Sequence, residues 1–153
     1  MDQQAATLLS DPATGFVAYP DYRLDFERSA ELHQILFNEA VVAASDRAII
    51  IREQNKLPVA YFPPEDVDMK LLRPSDHQSH CPFKGDASYW QVTANGVATD
   101  DAAWSYRNPI SQAAPIEGYI AFYLDKMSCY LRGGVEQPLI GPSSCGKEQL
   151  EAA

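Results

Sequence analysis

With 153 residues, 46 % of them hydrophobic and 22 % charged, the chain has enough apolar material to bury one core without staples. Its formal net charge is −9, and its lysines and arginines are scattered rather than gathered into a run. Such a surface repels a phosphate backbone or an anionic membrane, which sets nucleic-acid and membrane-surface binding aside. No apolar run approaches the ~20 residues of a membrane span. Met1-Asp2-Gln3-Gln4-Ala5 lacks the basic and apolar regions of a secretory signal, so the expected compartment is the cytoplasm.

In chain order, the first thirty residues carry the turn formers Asp11-Pro12 and Pro20-Asp21 and little periodicity, and read as an N-terminal arm over residues 1–30. Regular structure begins near Leu32. Ile35 and Phe37 alternate on one face, Asn38-Glu39 supplies a turn, and Val41-Val42-Ala43 returns as the second strand of a hairpin. Ala48 to Arg52 is a β-branched run read as a buried strand, with Pro58 to Phe62 its hairpin partner across Gln54-Asn55-Lys56. Pro63-Pro64-Glu65-Asp66 starts a short helix to about Leu72, with prolines in the first turn and acids at the positive end of the dipole. Arg73-Pro74 stops it. Tyr89–Ala94 and Ala102–Tyr106 flank Asn95-Gly96, another hairpin signal. Gly118 to Leu124 alternates aromatic and aliphatic residues as a last core strand. After Met127 come Gly133-Gly134, Pro138 and Gly141-Pro142, which read as an extended or disordered tail over residues 128–153. The expectation is a single, mainly β domain over residues 31–127, built from roughly seven to nine short strands.

Chemistry concentrates in His80-Cys81-Pro82-Phe83-Lys84-Gly85-Asp86-Ala87-Ser88-Tyr89-Trp90. Pro82 and Gly85 punctuate a turn, and a strand leaves it at Tyr89, so reactive side chains sit on a turn presented by a sheet. Lys84 is placed to lower the pKa of the Cys81 thiol and make it a nucleophile or redox thiolate. His80 is a poor direct base for its neighbour, because adjacent residues of an extended chain face opposite ways. The plain alternative is a buried, inert Cys81 and a solvated Lys84. A second candidate is aromatic: Tyr89, Trp90, Trp104, Tyr106, Tyr119 and Tyr123 either line a pocket or fill the core, and Arg107 follows the Trp104-Ser105-Tyr106 strand end. Cys81, Cys129 and Cys145 are odd in number and widely spaced, which argues against a disulfide framework. Without Cys-x-x-Cys or His-x-x-x-His spacing no metal site is expected, and His77, His80 and Cys81 match no familiar ligand set.

Five pieces stand in family order: Val42-Ala43-Ala44-Ser45-Asp46-Arg47-Ala48, Tyr61-Phe62-Pro63-Pro64-Glu65-Asp66-Val67, Cys81-Pro82-Phe83-Lys84-Gly85, Trp104-Ser105-Tyr106 with Pro109, and Ile116 to Tyr123. On these the chain, from about Leu32 to Met127, resembles the bacterial and fungal family known as domain of unknown function 427. The resemblance implies a β-tent-like fold, two antiparallel sheets pinned at one edge with one short helix. It also implies kinship with zinc-binding modules such as methionine sulfoxide reductase B and the cereblon ligand-binding domain, whose Cys-x-x-Cys knuckles this chain lacks. About activity it implies almost nothing. The family is sometimes labelled nucleotidyltransferase-like, but the chain has neither a Gly-Ser dyad nor a spaced acidic metal pair.

The function these residues favour is a small-molecule-binding domain with an aromatic-lined cleft beside the Cys-Pro-Phe-Lys-Gly turn. Tyr89, Trp104, Tyr106 and Arg107 would serve as ligand contacts, and Lys84 or Arg107 would orient an anionic or carbonyl group. The alternatives are an enzyme with Cys81 and Lys84 as its catalytic pair, and a protein-interaction scaffold. No cofactor and no oligomeric state can be read from the chain.

Overall fold

The computed structural model of the protein describes residues 15–141. After a single helical turn, α1 (Gly15–Ala18), it holds eleven strands in three antiparallel sheets. The first sheet has the order β1-β4-β5, from β1 (Leu24–Arg28), β4 (Ile49–Glu53) and β5 (Val59–Tyr61). The second runs β11-β10-β2-β3, from β2 (His33–Phe37), β3 (Ala40–Ser45), β10 (Cys129–Arg132) and β11 (Val135–Glu136). The third runs β6-β7-β8-β9, from β6 (Leu72–Cys81), β7 (Gly85–Ala94), β8 (Val97–Ser105) and β9 (Ile120–Phe122). The chain is therefore mainly β, with three sheets where two were expected.

All three expected hairpins are present, and the tips of two of them hold each other. Asn38 and Glu39 (φ 46° and 70°) join β2 to β3, and Asn95 and Gly96 (φ 49° and 83°) join β7 to β8. Two consecutive positive φ angles mark the turn whose twist matches the flanking strands, and Asn and Gly adopt it at least cost. Asn38 Nδ2 donates to Ala94 O at 2.9 Å, and Asn95 Nδ2 donates to Asn38 O at 2.7 Å. The second and third sheets are thus tied tip to tip. At another edge, Phe62 and Ile120 exchange backbone hydrogen bonds of 2.8 Å, which carries the β5 strand into contact with β9.

Strand periodicity divides the interior into two cores. Ile35, Phe37, Val42, Phe62, Trp90, Val92 and Phe122 pack in one. Ile49, Ile51, Tyr61, Phe83, Tyr89, Trp104 and Tyr106 pack in the other. Neighbours in sequence separate cleanly: Tyr61 from Phe62, Tyr89 from Trp90, Ala121 from Phe122. In the third sheet β7, the second half of β8 and β9 contribute side chains to both cores, whereas the edge strand β6 is mostly exposed.

Four expectations need correction. The helix from Pro63 to Leu72 is instead two 3₁₀ turns, Pro64–Asp66 and Met69–Leu71. Val67 is extended, and the Asp68 carboxylate accepts from Lys70 N to start the second turn afresh. Pro74 does not end an element but lies within β6, an edge strand, where a missing N–H faces no partner. Residues past Met127 are not a tail throughout. Gly133 and Gly134, at φ 57° and 80°, turn β10 into β11, and β10 pairs with β2 from Cys129↔Leu36 to Arg132↔His33. Likewise β1 falls inside the expected arm and pairs with β4 along its full length. Residues 1–14 and 142–153 lie outside the described residues.

His33 secures β10. Its ring is fully buried, with Nε2 2.8 Å from Ser29 Oγ and Nδ1 2.9 Å from Tyr130 Oη. Burial, and then the Arg132 guanidinium, hold its pKa below the ordinary 6.5 against the opposing pull of Glu31. The folded state therefore takes up the proton later than the unfolded chain, so the stabilisation is complete above pH 6.5 and is lost as pH falls toward the folded value. Thermal unfolding should show a midpoint that drops on acidification from pH 7 to pH 5.5, and His33→Gln should flatten that slope.

Candidate functional site

Glu53 closes β4. On a strand with period two it shares the face of Ile49 and Ile51, which places a carboxylate in the second core with only 8 % of its surface exposed. A buried carboxylate needs charge and hydrogen-bond partners where it stands. Lys84 Nζ donates to Glu53 Oε1 at 2.6 Å, and Lys56 Nζ lies 3.3 Å from Oε2. Tyr22 Oη donates to the same Oε2. Both lysine side chains are almost fully buried. Burial pushes the Glu53 carboxyl up. The Lys84 ammonium, its hydrogen bond, the Tyr22 phenol and Lys56 outweigh that effect and hold it below its ordinary range. One carboxylate therefore faces two ammonium groups.

The turn that delivers Lys84 is held from two sides. Gly85, at φ 120°, lies so close to the following loop that a Cβ would stand 3.3 Å from Ile110 N and from Pro109 Cα. Lys84 O accepts from Ile110 N at 3.0 Å. On the other side Phe83 stacks on Tyr22 with centroids 3.6 Å apart, and Phe16 meets it edge-on at 5.1 Å. The solvated Lys84 of the plain reading is excluded by this packing.

Around the charged cluster opens a cavity of about 250 Å³. Its walls are rings: Tyr61, Tyr89, Trp104, Tyr106 and Tyr123. Trp104 Nε1 donates to Tyr61 Oη at 3.1 Å, and Trp104 meets Tyr123 at 4.6 Å between centroids. Burial raises the pKa of Tyr61 and of Tyr106, so both phenols stay protonated and able to donate. Exposed His77, His80 and Leu57 stand at the mouth.

Irregular pairing on both sides of β7 shapes that mouth. Between Pro74↔Trp90 and Gln78↔Ser88, three residues of β6 oppose one of β7, which brings the His77 ring 4.4 Å from Tyr89. β8 bulges opposite Gln91, with Asp101 at φ 49° accepting from Ser75 Oγ at 2.6 Å. Bulges are how a sheet re-aims side chains beside a site.

Of the residues singled out in the sequence, Cys81, Lys84, Tyr89, Trp104 and Tyr106 all line this cavity. Arg107 does not. It follows Tyr106 on an extended chain and points the other way, its guanidinium 5.3 Å above the Trp90 ring beside the first core. Cys81 is disulfide-bonded, whereas Cys129 is free. The expected absence of disulfides is corrected accordingly, and Cys81 as it stands presents no thiolate. Glu53, Lys56 and Tyr61 escaped the sequence reading. The signal for Glu53 was its register: two positions after Ile51, on the inward face. Among the described residues, no group of three or more His, Cys, Asp or Glu side chains is placed to hold a metal ion.

Removing the carboxylate should cost more than removing either ammonium. Glu53→Gln leaves two buried cations facing each other, and breaking a buried pair in this way costs about 3–5 kcal/mol. Lys84→Met leaves Glu53 with Lys56 and Tyr22 and should cost less. Urea unfolding of the two variants tests the order. In the native chain the Glu53 contribution is present above its ordinary pKa of 4.5 and is lost as pH falls through the lower folded value.

Comparison with curated proteins of known function finds no match. A family model described as a domain of unknown function (DUF427) matches residues 25–133 and so takes in most of β1, Glu53, Lys56 and Lys84, the cavity walls and β10. The chain belongs to the domain of unknown function 427 family.

Proposed function

We propose that the protein is a small-molecule-binding module in a β-tent-like frame, and that its ligand is a small planar molecule bearing an anionic or carbonyl group. The observation that carries this reading is the meeting of an aromatic cavity with two buried ammonium groups, Lys84 and Lys56, at its inner end. An anion entering between the rings would meet those groups in surroundings of low polarity, which strengthens the attraction. The rings accept a flat molecule on its faces, and the phenols of Tyr61 and Tyr106 offer donors to a carbonyl or carboxylate oxygen. At about 250 Å³ the cavity falls just under the usual range for drug-sized ligands, which suits a single substituted ring. With Cys81 in a disulfide, Lys84 takes over as the residue on which the site turns.

Titration calorimetry with benzoate, benzamide and benzylammonium reads the charge preference directly. Benzoate should bind at least tenfold more tightly than benzamide, and benzylammonium should not bind. Lys84→Met and Trp104→Ala should abolish benzoate binding while the circular dichroism spectrum is kept. Equal binding of all three probes, or unchanged benzoate affinity in a folded Lys84→Met variant, would overturn the reading.

A further inference from the structure

We propose that a recess bounded by β5, β9 and β10 is a second ligand site, and that it takes a small, uncharged aliphatic molecule such as a medium-chain alcohol. The recess is a cavity of about 260 Å³. Its floor is made by Ile35, Ile50 and Phe122, each only 2 % exposed. Ile50 stands on the opposite face of β4 from Ile49 and Ile51 and belongs to neither of the two cores, yet it is buried, and it lines this recess. Alternation along β5 keeps the two cavities apart: Tyr61 lines the aromatic one and Ala60 this one, while Leu57 and Val59 stand at the edge of both. Protein interiors leave few voids larger than a water molecule, and an apolar void stays dry and takes up apolar molecules.

The segment that follows β11 supplies a further wall and is anchored at both ends. Gln137 N donates to Tyr130 O at 2.8 Å, and Gly141 lies so close to Asp125 that a Cβ there would stand 2.7 Å from Oδ1. Between these two anchors the segment brings Pro138 and Ile140 to the recess. Ile140 and Leu57 both line it and are 55 % and 54 % exposed. Large apolar side chains left in water at the rim of an apolar recess are surface that an aliphatic occupant would cover, and covering them drives binding.

The polar groups at the recess decide the charge of the occupant. Arg132 Nε donates to Glu31 Oε1 at 2.6 Å, so this guanidinium already has its counter-charge. An entering anion would meet the Glu31 carboxylate together with Arg132, and an entering cation would meet the guanidinium, so neither gains what a neutral molecule loses. Tyr130 Oη is held 2.9 Å from His33 Nδ1 and is committed to the fold. Gln137 Nε2 donates to Val135 O at 3.1 Å, which leaves the amide oxygen as the acceptor suited to a single hydroxyl. Only Phe122 and Tyr130 contribute rings, and the other apolar walls are aliphatic, which suits a chain or a branched skeleton better than a flat ring.

The test is titration of the full chain with 1-octanol and with octanoate at neutral pH, followed through backbone amide chemical shifts. 1-Octanol should bind at least tenfold more tightly than octanoate, move the amides of Ile35, Ala60 and Leu124, and leave those of Trp104 and Tyr106 in place. Excess benzoate should not displace it. Ala60→Ile fills the recess with a strand-forming side chain and should weaken 1-octanol binding at least tenfold while the melting midpoint holds or rises. Ile140→Asp changes an exposed position and should weaken binding by a similar factor in a chain that keeps its circular dichroism spectrum, so the test stands even where the Ala60 variant fails to fold. Equal binding of 1-octanol and octanoate would overturn the neutral occupant. No binding of 1-octanol, shifts centred on Trp104 and Tyr106, displacement by benzoate, or unchanged affinity in a folded Ile140→Asp variant would overturn the site.

Discussion

The carboxylate of Glu53 sits on the inward face of β4, and the arrangement around the cavity follows from the need to satisfy it there. Its two oxygens take three donors from three parts of the chain. Tyr22 comes from the segment before β1, Lys56 from the β4–β5 turn, and Lys84 from the β6–β7 turn. Each donor brings packing with it. Tyr22 arrives stacked on Phe83, and Lys84 arrives on a turn bonded to the loop after β8. A charge in a core is usually replaceable by apolar residues without loss of stability. Here the buried carboxylate is kept and met by Lys84, Lys56 and Tyr22, so its place in the fold depends on all three segments.

The division of the interior into two cores bears on the same point. Alternation along the strands sends Phe62, Trp90, Val92 and Phe122 to one side, and Tyr61, Tyr89, Trp104 and Tyr106 to the other. The first set is mostly hydrocarbon and closes on itself. The second carries three phenols and an indole N–H, each of which costs free energy if buried unpaired. They meet the cost partly through one another, as in the bond from Trp104 to Tyr61 and that between Tyr89 and Ser79. A core built of such rings packs around polar atoms, and the cavity lies among them.

How much of this could be read beforehand depended on whether the signal was local. The β2–β3 and β7–β8 hairpins were legible because Asn38-Glu39 and Asn95-Gly96 interrupt alternating strands, and Asn and Gly tolerate the positive φ a tight turn needs. The β10–β11 hairpin carries the same signal in Gly133-Gly134, but its strands are short and end in breakers, so composition argued for a tail. What holds β10 is its long-range pairing with β2 and the buried His33–Tyr130 contact, separated by 97 positions. The cavity was legible in part, because a turn rich in functional groups and a run of aromatic residues both announce themselves. Glu53 and Lys56 did not, since an acid at the end of an isoleucine strand and a lysine in a turn are ordinary until register and pairing bring them together. Arg107 misled for the opposite reason: proximity in sequence to Tyr106 says nothing of its face, which is reversed by a single step along the chain.

The two segments that the sequence presents separately, Cys81 to Trp90 and Trp104 to Arg107, act as one unit for a backbone reason. Gly85 lets the loop of Pro109 and Ile110 approach to a distance that any side chain at that position would contest. That approach makes possible the hydrogen bond from Ile110 N to Lys84 O, which fixes the lysine at the loop continuing from Tyr106. Pairing of β7 with β8 sets Tyr89 opposite Trp104 and so fixes the walls, while the glycine contact fixes the amine relative to them. A flexible four-carbon side chain loses much of its conformational freedom when held this way, a cost met during folding rather than at binding. The site is preorganised by the absence of a methyl group at Gly85 as much as by the presence of the lysine before it.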